Sequence, residues 1–280
     1  TFQYFAARGD EEGVRVLADH VIARHYPDAA QAEKPYRALL DHVVAAQADL
    51  IPRWLLVGFI HGVMNTDNTA VSGETIDYGP CAFLDEYEPT KVFSSIDQNG
   101  RYAYANQPRI ALWNLTRLAE CLLPLLDADQ DRAVAEAEAA LAAFAPRFER
   151  AYRAGLAAKI GLSPEHEENA RLAADLLTVM AANTADFTLV FRRLADAAAD
   201  PASDGPVRDL FIDPTAYDAW AIRWREQATR ELAGPNQRRE AMRAVNPAFI
   251  PRNHRIEAAI RAAVDGGDFA PFHELMEVLS

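Results

Sequence analysis

Residues 54–80 read WLLVGFIHGVMNTDNTAVSGETIDYGP, and this stretch decides the architecture. An apolar run from Trp54 to Ile60 gives way to a segment rich in Gly, Asn, Asp and Thr. On both sides the chain is rich in alanine. Of the 54 alanines only Ala70 and Ala82 lie between positions 51 and 100, whereas five of the 13 glycines do. Alanine is the best helix former and glycine the worst after proline. A single non-helical island is therefore expected inside an otherwise helical chain.

Outward from the island, apolar spacing predicts the helices. Asp10 can cap a helix with Val14, Leu17, Val21 and Ile22 on one face. Leu39, Leu40, Val43 and Val44 continue the pattern in a second helix, and Pro52 then opens the buried run ending at His61-Gly62. Beyond the island, Asn106 with Pro108 marks a helix start. Ile110, Trp113, Leu118 and Leu122 suit a long, mostly buried helix, and residues 130–160 read as one more. Ser163-Pro164-Glu165 and Asp213-Pro214 each read as a cap followed by a first-turn proline. Residues 200–206, DPASDGP, read as a loop, and residues 246–252, NPAFIPR, as an extended connection pinned by two prolines. Asp268 starts a last short helix. Trp54, Trp113, Trp220 and Trp224 fit apolar helix faces and are expected in the core. No alternating run is long enough for a central sheet, so the class is mainly α.

Composition excludes several functions. The 280 residues carry 28 Lys plus Arg against 41 Asp plus Glu, a formal net charge of −13. Neither nucleic acid nor an anionic membrane is an expected partner, because both need a basic face. No uncharged apolar run approaches the roughly 18 residues of a membrane helix. The opening TFQYFAARGDEEG lacks the basic-then-apolar layout of a secretory leader. Two cysteines, Cys81 and Cys121, are too few for a disulfide framework and point to a reducing compartment.

The island carries the chemistry. Asn68 and Asp77 are separated by Gly73 and a short β-prone stretch, Glu74-Thr75-Ile76. A turn at Ser72-Gly73 would fold the segment back and bring Asp77 near Asn68. An amide oxygen with a carboxylate is a hard-oxygen pair of the kind Mg²⁺ takes when water and phosphate fill its other positions. Kinase-type enzymes use an Asn from a catalytic loop and an Asp from a following Asp-x-Gly turn, here Asp77-Tyr78-Gly79. His61 stands seven residues before Asn68, the spacing of a His-x-Asp-x-x-x-x-Asn loop. The base position of that loop falls on Val63, which cannot accept a proton; Asp67 is the nearest carboxylate. His61 reads as a loop-orienting side chain, and no paired histidine spacing suggests zinc. Asp85, Glu86, Glu88 and Asp97 form an acidic cluster that reads as a solvated loop.

HGVMNTDN at 61–68 and TIDYGP at 75–80 resemble the selenoprotein O family of pseudokinases, also called YdiU-like proteins. FQYFAARGD at 2–10, FLDEYEP at 83–89, NGRYAYANQP at 99–108, LWNLTRLAE at 112–120 and NPAFIPRNHRIEAAI at 246–260 extend the likeness over nearly the whole chain. The resemblance implies a helical C-lobe of a protein-kinase-like fold, with a small β-hairpin at the metal-binding loop. It implies a single helical domain over residues 1–280: a catalytic and metal loop at 58–80, an activation-type loop at 81–105, and a helical extension from about 163 to 280. It also implies an ATP bound in flipped orientation, whose AMP moves to Ser, Thr or Tyr hydroxyls of proteins. By position, Asp67 matches the family's catalytic proton acceptor. Asn68 and Asp77 match its ligands for Mg²⁺, or Mn²⁺ in its place, with Asp77 contacting the nucleotide through the metal. The implied location is cytoplasmic in bacteria and mitochondrial in eukaryotic relatives.

The departures shape the expectation. The family's Gly-rich phosphate loop, its lysine with an acidic partner and two nucleotide-binding arginines have no counterpart in these residues. The chain is therefore expected to be the C-terminal lobe of a longer protein, without the N-lobe. Alone it should bind ATP weakly or not at all and lack transferase activity. Family members can also carry a cysteine or selenocysteine near the C-terminus, and some have a partner cysteine in the loop after the metal Asp. Here the chain ends at Ser280 and the aligned loop position is Phe93. Cys81 reads as a small apolar side chain. Two alternatives stay open: a catalytically dead helical interaction module, and an ordinary phosphotransferase, which Val63 argues against.

Overall fold

The alanine-rich flanks are helical and the island is not. The computed structural model describes residues 1–280. Helices α1 (Phe2–Ala6), α2 (Glu11–His25) and α3 (Pro35–Leu56) precede the island. Strands β1 (Phe59–Ile60) and β2 (Ala82–Phe83) bracket it, pairing antiparallel with Phe59 opposite Phe83 and Ile60 opposite Ala82. Then follow α4 (Gln107–Leu126), α5 (Gln130–Ala142), α6 (Phe144–Lys159), α7 (Glu167–Ala182) and α8 (Phe187–Ala199). The chain closes with α9 (Gly205–Arg208), α10 (Pro214–Thr229), α11 (Pro235–Val245), α12 (Asn253–Gly266) and α13 (Ala270–Leu279). No helix is long and apolar enough to cross a membrane.

Two compact units emerge. The first comprises Thr1–Arg53, Val63–Gly79 and Ala105–Ala151. Its core takes Val14, Ala18, Val21 and Ile22 from α2 and Leu39, Leu40, Val43 and Val44 from α3. From α4 it takes Ile110, Leu115 and Leu122. Asp10 caps α2, its carboxylate accepting from the Gly13 N–H at 2.8 Å. α5 buries only alanines, Ala133, Ala137 and Ala140, against α4.

The second unit comprises Trp54–Gly62, Pro80–Tyr104 and Tyr152–Ser280. Trp220 and Trp224 stack at 5.5 Å in its core. Each indole N–H donates at 2.8 Å, to the carbonyls of Leu172 and Ile160 respectively, so neither polar tip is left unmet. Arg252 ties two segments together. Its guanidinium donates to Asp85 at 2.5 Å and to both oxygens of Asp186 at 2.6 and 3.1 Å. The Phe187 N–H donates to the Asp85 carbonyl at 2.8 Å beside it. Arg252→Ala would leave two carboxylates facing one another; a loss of about 2 kcal/mol is expected, partial exposure reducing the buried-pair figure. Urea melts of the two proteins check this, and equal midpoints would refute it.

Several elements differ from the sequence expectation. Pro52 does not open a new segment; it lies inside α3, which runs on to Leu56. Residues 130–160 form two helices, because Pro146 cannot donate to the ladder of α5 but is tolerated in the first turn of α6. α7 starts at Glu167, not at Ser163-Pro164. Glu231 accepts from the Ser163 N–H and the Asn169 amide, at 2.8 and 2.9 Å, and holds that corner in a turn. Residues 200–206 coil into a 3₁₀ turn and the start of α9, since Asp-Pro and Gly-Pro open helical turns as readily as loops. Trp113 is 41 % exposed rather than core, with the Arg117 guanidinium over its ring at 5.2 Å. Glu74-Thr75-Ile76 is not a strand; the hairpin pairs β1 with β2, at the base of the island.

Candidate functional site

The base of the island is closed by backbone contact. Gly62 has φ +84°, and a Cβ there would lie 2.8 Å from the Pro80 carbonyl oxygen. Only glycine fits so close an approach in that conformation. Gly62→Ala should cost about 1–3 kcal/mol from strain at that position, which thermal melts would register. An unchanged Tm would contradict the closed base. His61 is 1 % exposed and packs between Trp54 and Phe59, with ring centroids at 5.4 and 6.3 Å. It lies in the core, in keeping with an orienting role.

Beyond the base, the loop is fastened to helices of the first unit. The Asn114 amide of α4 donates to the Met64 carbonyl at 3.0 Å and to the Thr69 hydroxyl at 2.8 Å. The Gln47 amide of α3 donates to the Ala70 carbonyl at 2.8 Å. The Tyr26 hydroxyl donates to the Val71 carbonyl at 2.6 Å. The expected turn forms: the Gly73 N–H donates to the Ala70 carbonyl at 3.1 Å, and Gly73 takes φ +78°. Gln47 and Asn114 are buried, which makes their bonds to the loop costly to lose.

Asp67 and Asn68 share one 3₁₀ turn, Thr66–Asn68. The Asn68 side-chain N–H donates to the Val63 carbonyl at 3.1 Å, which orients the amide and leaves its oxygen without a partner. Asp67 is exposed, and its carboxylate makes neither a hydrogen bond nor an ion pair. Asp77 follows the turn, exposed, at φ +56°, and its carboxylate is likewise unengaged. No group of three or more His, Cys, Asp and Glu side chains is assembled to hold a metal. The available donors are an amide oxygen and carboxylates, which suits a hard cation that keeps water and phosphate oxygens.

Acids of the segment that follows in sequence have partners of their own. Asp85 pairs with Arg252. Asp97 accepts from the N–H groups of Arg101 and Tyr102 at 2.8 and 2.7 Å. Glu88 pairs with Lys91 at 3.5 Å. Sequence reasoning missed Asn114, Gln47 and Tyr26. Asn114 and Gln47 did carry a signal, as amides at helix positions whose neighbours in the pattern are apolar; Tyr26 carried none.

A helical chain with a hairpin-closed loop that presents an acid-amide-acid set is the class of architecture defined so far. Its family is fixed by comparison. The model of the family described as "Protein adenylyltransferase SelO" matches residues 1–280. The chain belongs to that family. It is 65 % identical over 280 residues to "Protein nucleotidyltransferase YdiU" of Rhodopseudomonas palustris (strain BisB5). That match covers all of this chain and 57 % of the relative. A protein of the same name from Methylorubrum extorquens is 63 % identical over 286 residues, covering all of this chain and 58 % of the relative. That from Bradyrhizobium sp. (strain BTAi1 / ATCC BAA-1182) is 65 % identical over 280 residues, with 100 % and 57 % coverage. The chain thus spans a little over half the length of these relatives.

Proposed function

We propose that this chain is the helical C-lobe of a kinase-like protein adenylyltransferase, with its catalytic loop at 58–80 and an activation-type loop at 81–105. In the longer protein it would move AMP from ATP to Ser, Thr or Tyr hydroxyls of proteins in the cytoplasm. The observation that carries this reading is the contrast within the island. Buried polar side chains fasten its backbone, while the oxygens of Asp67, Asn68 and Asp77 take no protein partner.

Asn68 and Asp77 would hold Mg²⁺, or Mn²⁺ in its place; when bound, such a cation neutralises phosphate charge. Asp67 would accept the proton of the incoming hydroxyl. The hydroxyl oxygen bonds to the α-phosphorus, the bond from that phosphorus to the α–β bridging oxygen breaks, and pyrophosphate leaves. Asn114, Gln47 and Tyr26 keep the loop from relaxing, so little reorganisation remains for the reaction step. Val63 offers no proton acceptor at the usual kinase position, which favours adenylyl over ordinary phosphoryl transfer. Within residues 1–280 no Gly-rich phosphate loop is present, and the isolated chain would therefore bind ATP weakly and be inactive.

Intact mass of the full-length protein and a bystander protein, after incubation with ATP and Mg²⁺, tests this. An AMP-sized adduct is expected. A phosphate-sized adduct would point to a phosphotransferase, and no adduct to an inactive helical module.

A further inference from the structure

Asp67 and Asn68 ride on a turn with little to hold it from within. The 3₁₀ turn Thr66–Asn68 is three residues long, and the Asn68 N–H closes it on the Asn65 carbonyl at 3.1 Å. So short a 3₁₀ segment makes few bonds and makes them with poor geometry, so it depends on what surrounds it. The Asp67 carboxylate has no partner of its own, and its place is set by the backbone that carries it.

The next residue supplies the support. The Thr69 hydroxyl donates to the Asn65 carbonyl at 3.2 Å and accepts from the Asn114 amide at 2.8 Å. A hydroxyl can do both at once, having one donor and two acceptor positions. The Asn65 carbonyl thus takes the Asn68 N–H from inside the turn and the Thr69 hydroxyl from its exit. The same Asn114 amide donates to the Met64 carbonyl at 3.0 Å, so one residue of α4 grips the chain on both flanks of the turn. Asn114 and Met64 are both buried, which anchors the grip in the core of the first unit. The Asn114 Oδ1 is buried without a protein partner. An unmet buried acceptor adds nothing to stability, and aiming the amide N–H groups at the loop is what that orientation achieves. Thr69 itself is extended, at φ −114° and ψ 109°, a conformation that suits any β-branched residue. Valine would fit that backbone equally well and lacks only the hydroxyl.

We propose that Thr69, gripped by Asn114, is a positioning residue: its hydroxyl relays the hold of α4 to the turn and fixes Asp67 and Asn68 where the reaction needs them. This rests on the adenylyltransferase reading and adds to it a residue that acts through its neighbours.

Thr69→Val and Thr69→Ser in the full-length protein test the relay with two measurements. The first is AMP transfer, read by intact mass. Thr69→Val should lower kcat by about 10- to 100-fold and leave the KM for ATP in place. Thr69→Ser keeps the hydroxyl and should transfer AMP at close to the wild-type rate. The second is amide hydrogen exchange. Thr69→Val should speed exchange over residues 63–70 by about tenfold, with α2 and α3 as protected as before, and Thr69→Ser should not. Should Thr69→Val fail to fold, Thr69→Ala removes the hydroxyl without adding a methyl group, and the same comparisons apply. An unchanged kcat in Thr69→Val would overturn the proposal. So would an equal loss in the Val and Ser variants, a loss confined to KM, or exchange that does not move. If the wild type transfers no AMP while Thr69→Val speeds exchange and Thr69→Ser restores it, the relay stands and the adenylyltransferase reading falls. AMP transfer that Thr69→Val leaves untouched removes the relay alone.

Discussion

The full-length protein carrying Asp67→Ala is expected to lose AMP transfer by about 10²- to 10⁴-fold, the usual worth of a positioned general base. Asp67→Asn should fall as far, because an amide keeps the shape but cannot take the proton. Stability should barely change with either, since the carboxylate is exposed and makes no hydrogen bond or ion pair in the fold. That separation is what distinguishes chemistry from architecture here. Intact-mass kinetics beside a thermal melt provide both readings. Full transfer by both variants would remove Asp67 from the mechanism, and a collapsed Tm would assign it to the fold instead.

Lys159 carries the second large expectation. It is 2 % exposed at the end of α6, and its ammonium donates to the Asn246 side-chain oxygen at 2.7 Å. The Phe191 ring lies under it at 4.1 Å, and Asn246 in turn donates to the Lys159 carbonyl at 2.9 Å. No carboxylate is paired with it. Burial drives its pKa down from 10.5 to about 7. The fold thus favours the neutral amine, while the unfolded chain stays protonated up to its higher pKa. Folding releases a proton between these values, so stability rises with pH from about 7 to 10.5 and is flat below 7. The slope is at most about 1.4 kcal/mol per pH unit, and attraction of the ammonium to the aromatic faces narrows the window over which it acts. Lys159→Met keeps the length and removes the charge. It should abolish this part of the slope and stabilise the protein at pH 7, where the native amine is still half protonated. Denaturant melts of both proteins at pH 7, 8 and 9 would show the difference, with all other groups common to the pair. Parallel pH profiles would mean the ammonium is not penalised by its burial.

Much of the helical plan was legible because it depended on local signals. Asp10 and Asp213 cap α2 and α10 as their sequence contexts indicate, and the alanine distribution located the island without reference to anything distant. Errors came where a local signal has two physical meanings. Proline ends a helix, starts one, or rides inside one. Pro146, Pro108 and Pro52 do these three things, and what decides is the set of helical neighbours around them. The hairpin strands were misplaced because two-residue strands have no periodicity of their own; pairing between Phe59 and Phe83 creates them. At the candidate site, the sequence singles out Asp67, Asn68 and Asp77, and the structure leaves their side-chain oxygens without protein partners. The bonds from Asn114, Gln47 and Tyr26 were not legible there, because each joins residues more than 20 positions apart.

The left-handed backbone of Asp77 restricts which side chains that position can hold. Among residues with a side chain, Asn and Asp enter that conformation at least cost, because their short polar groups bond locally. Alanine scanning there changes backbone preference and charge together, and its result would be read wrongly as pure loss of a ligand. Asp77→Asn preserves the dihedral and withdraws one negative charge; Asp77→Gly preserves the dihedral and withdraws the side chain. Together these two replacements keep the left-handed conformation accessible while the coordination chemistry changes.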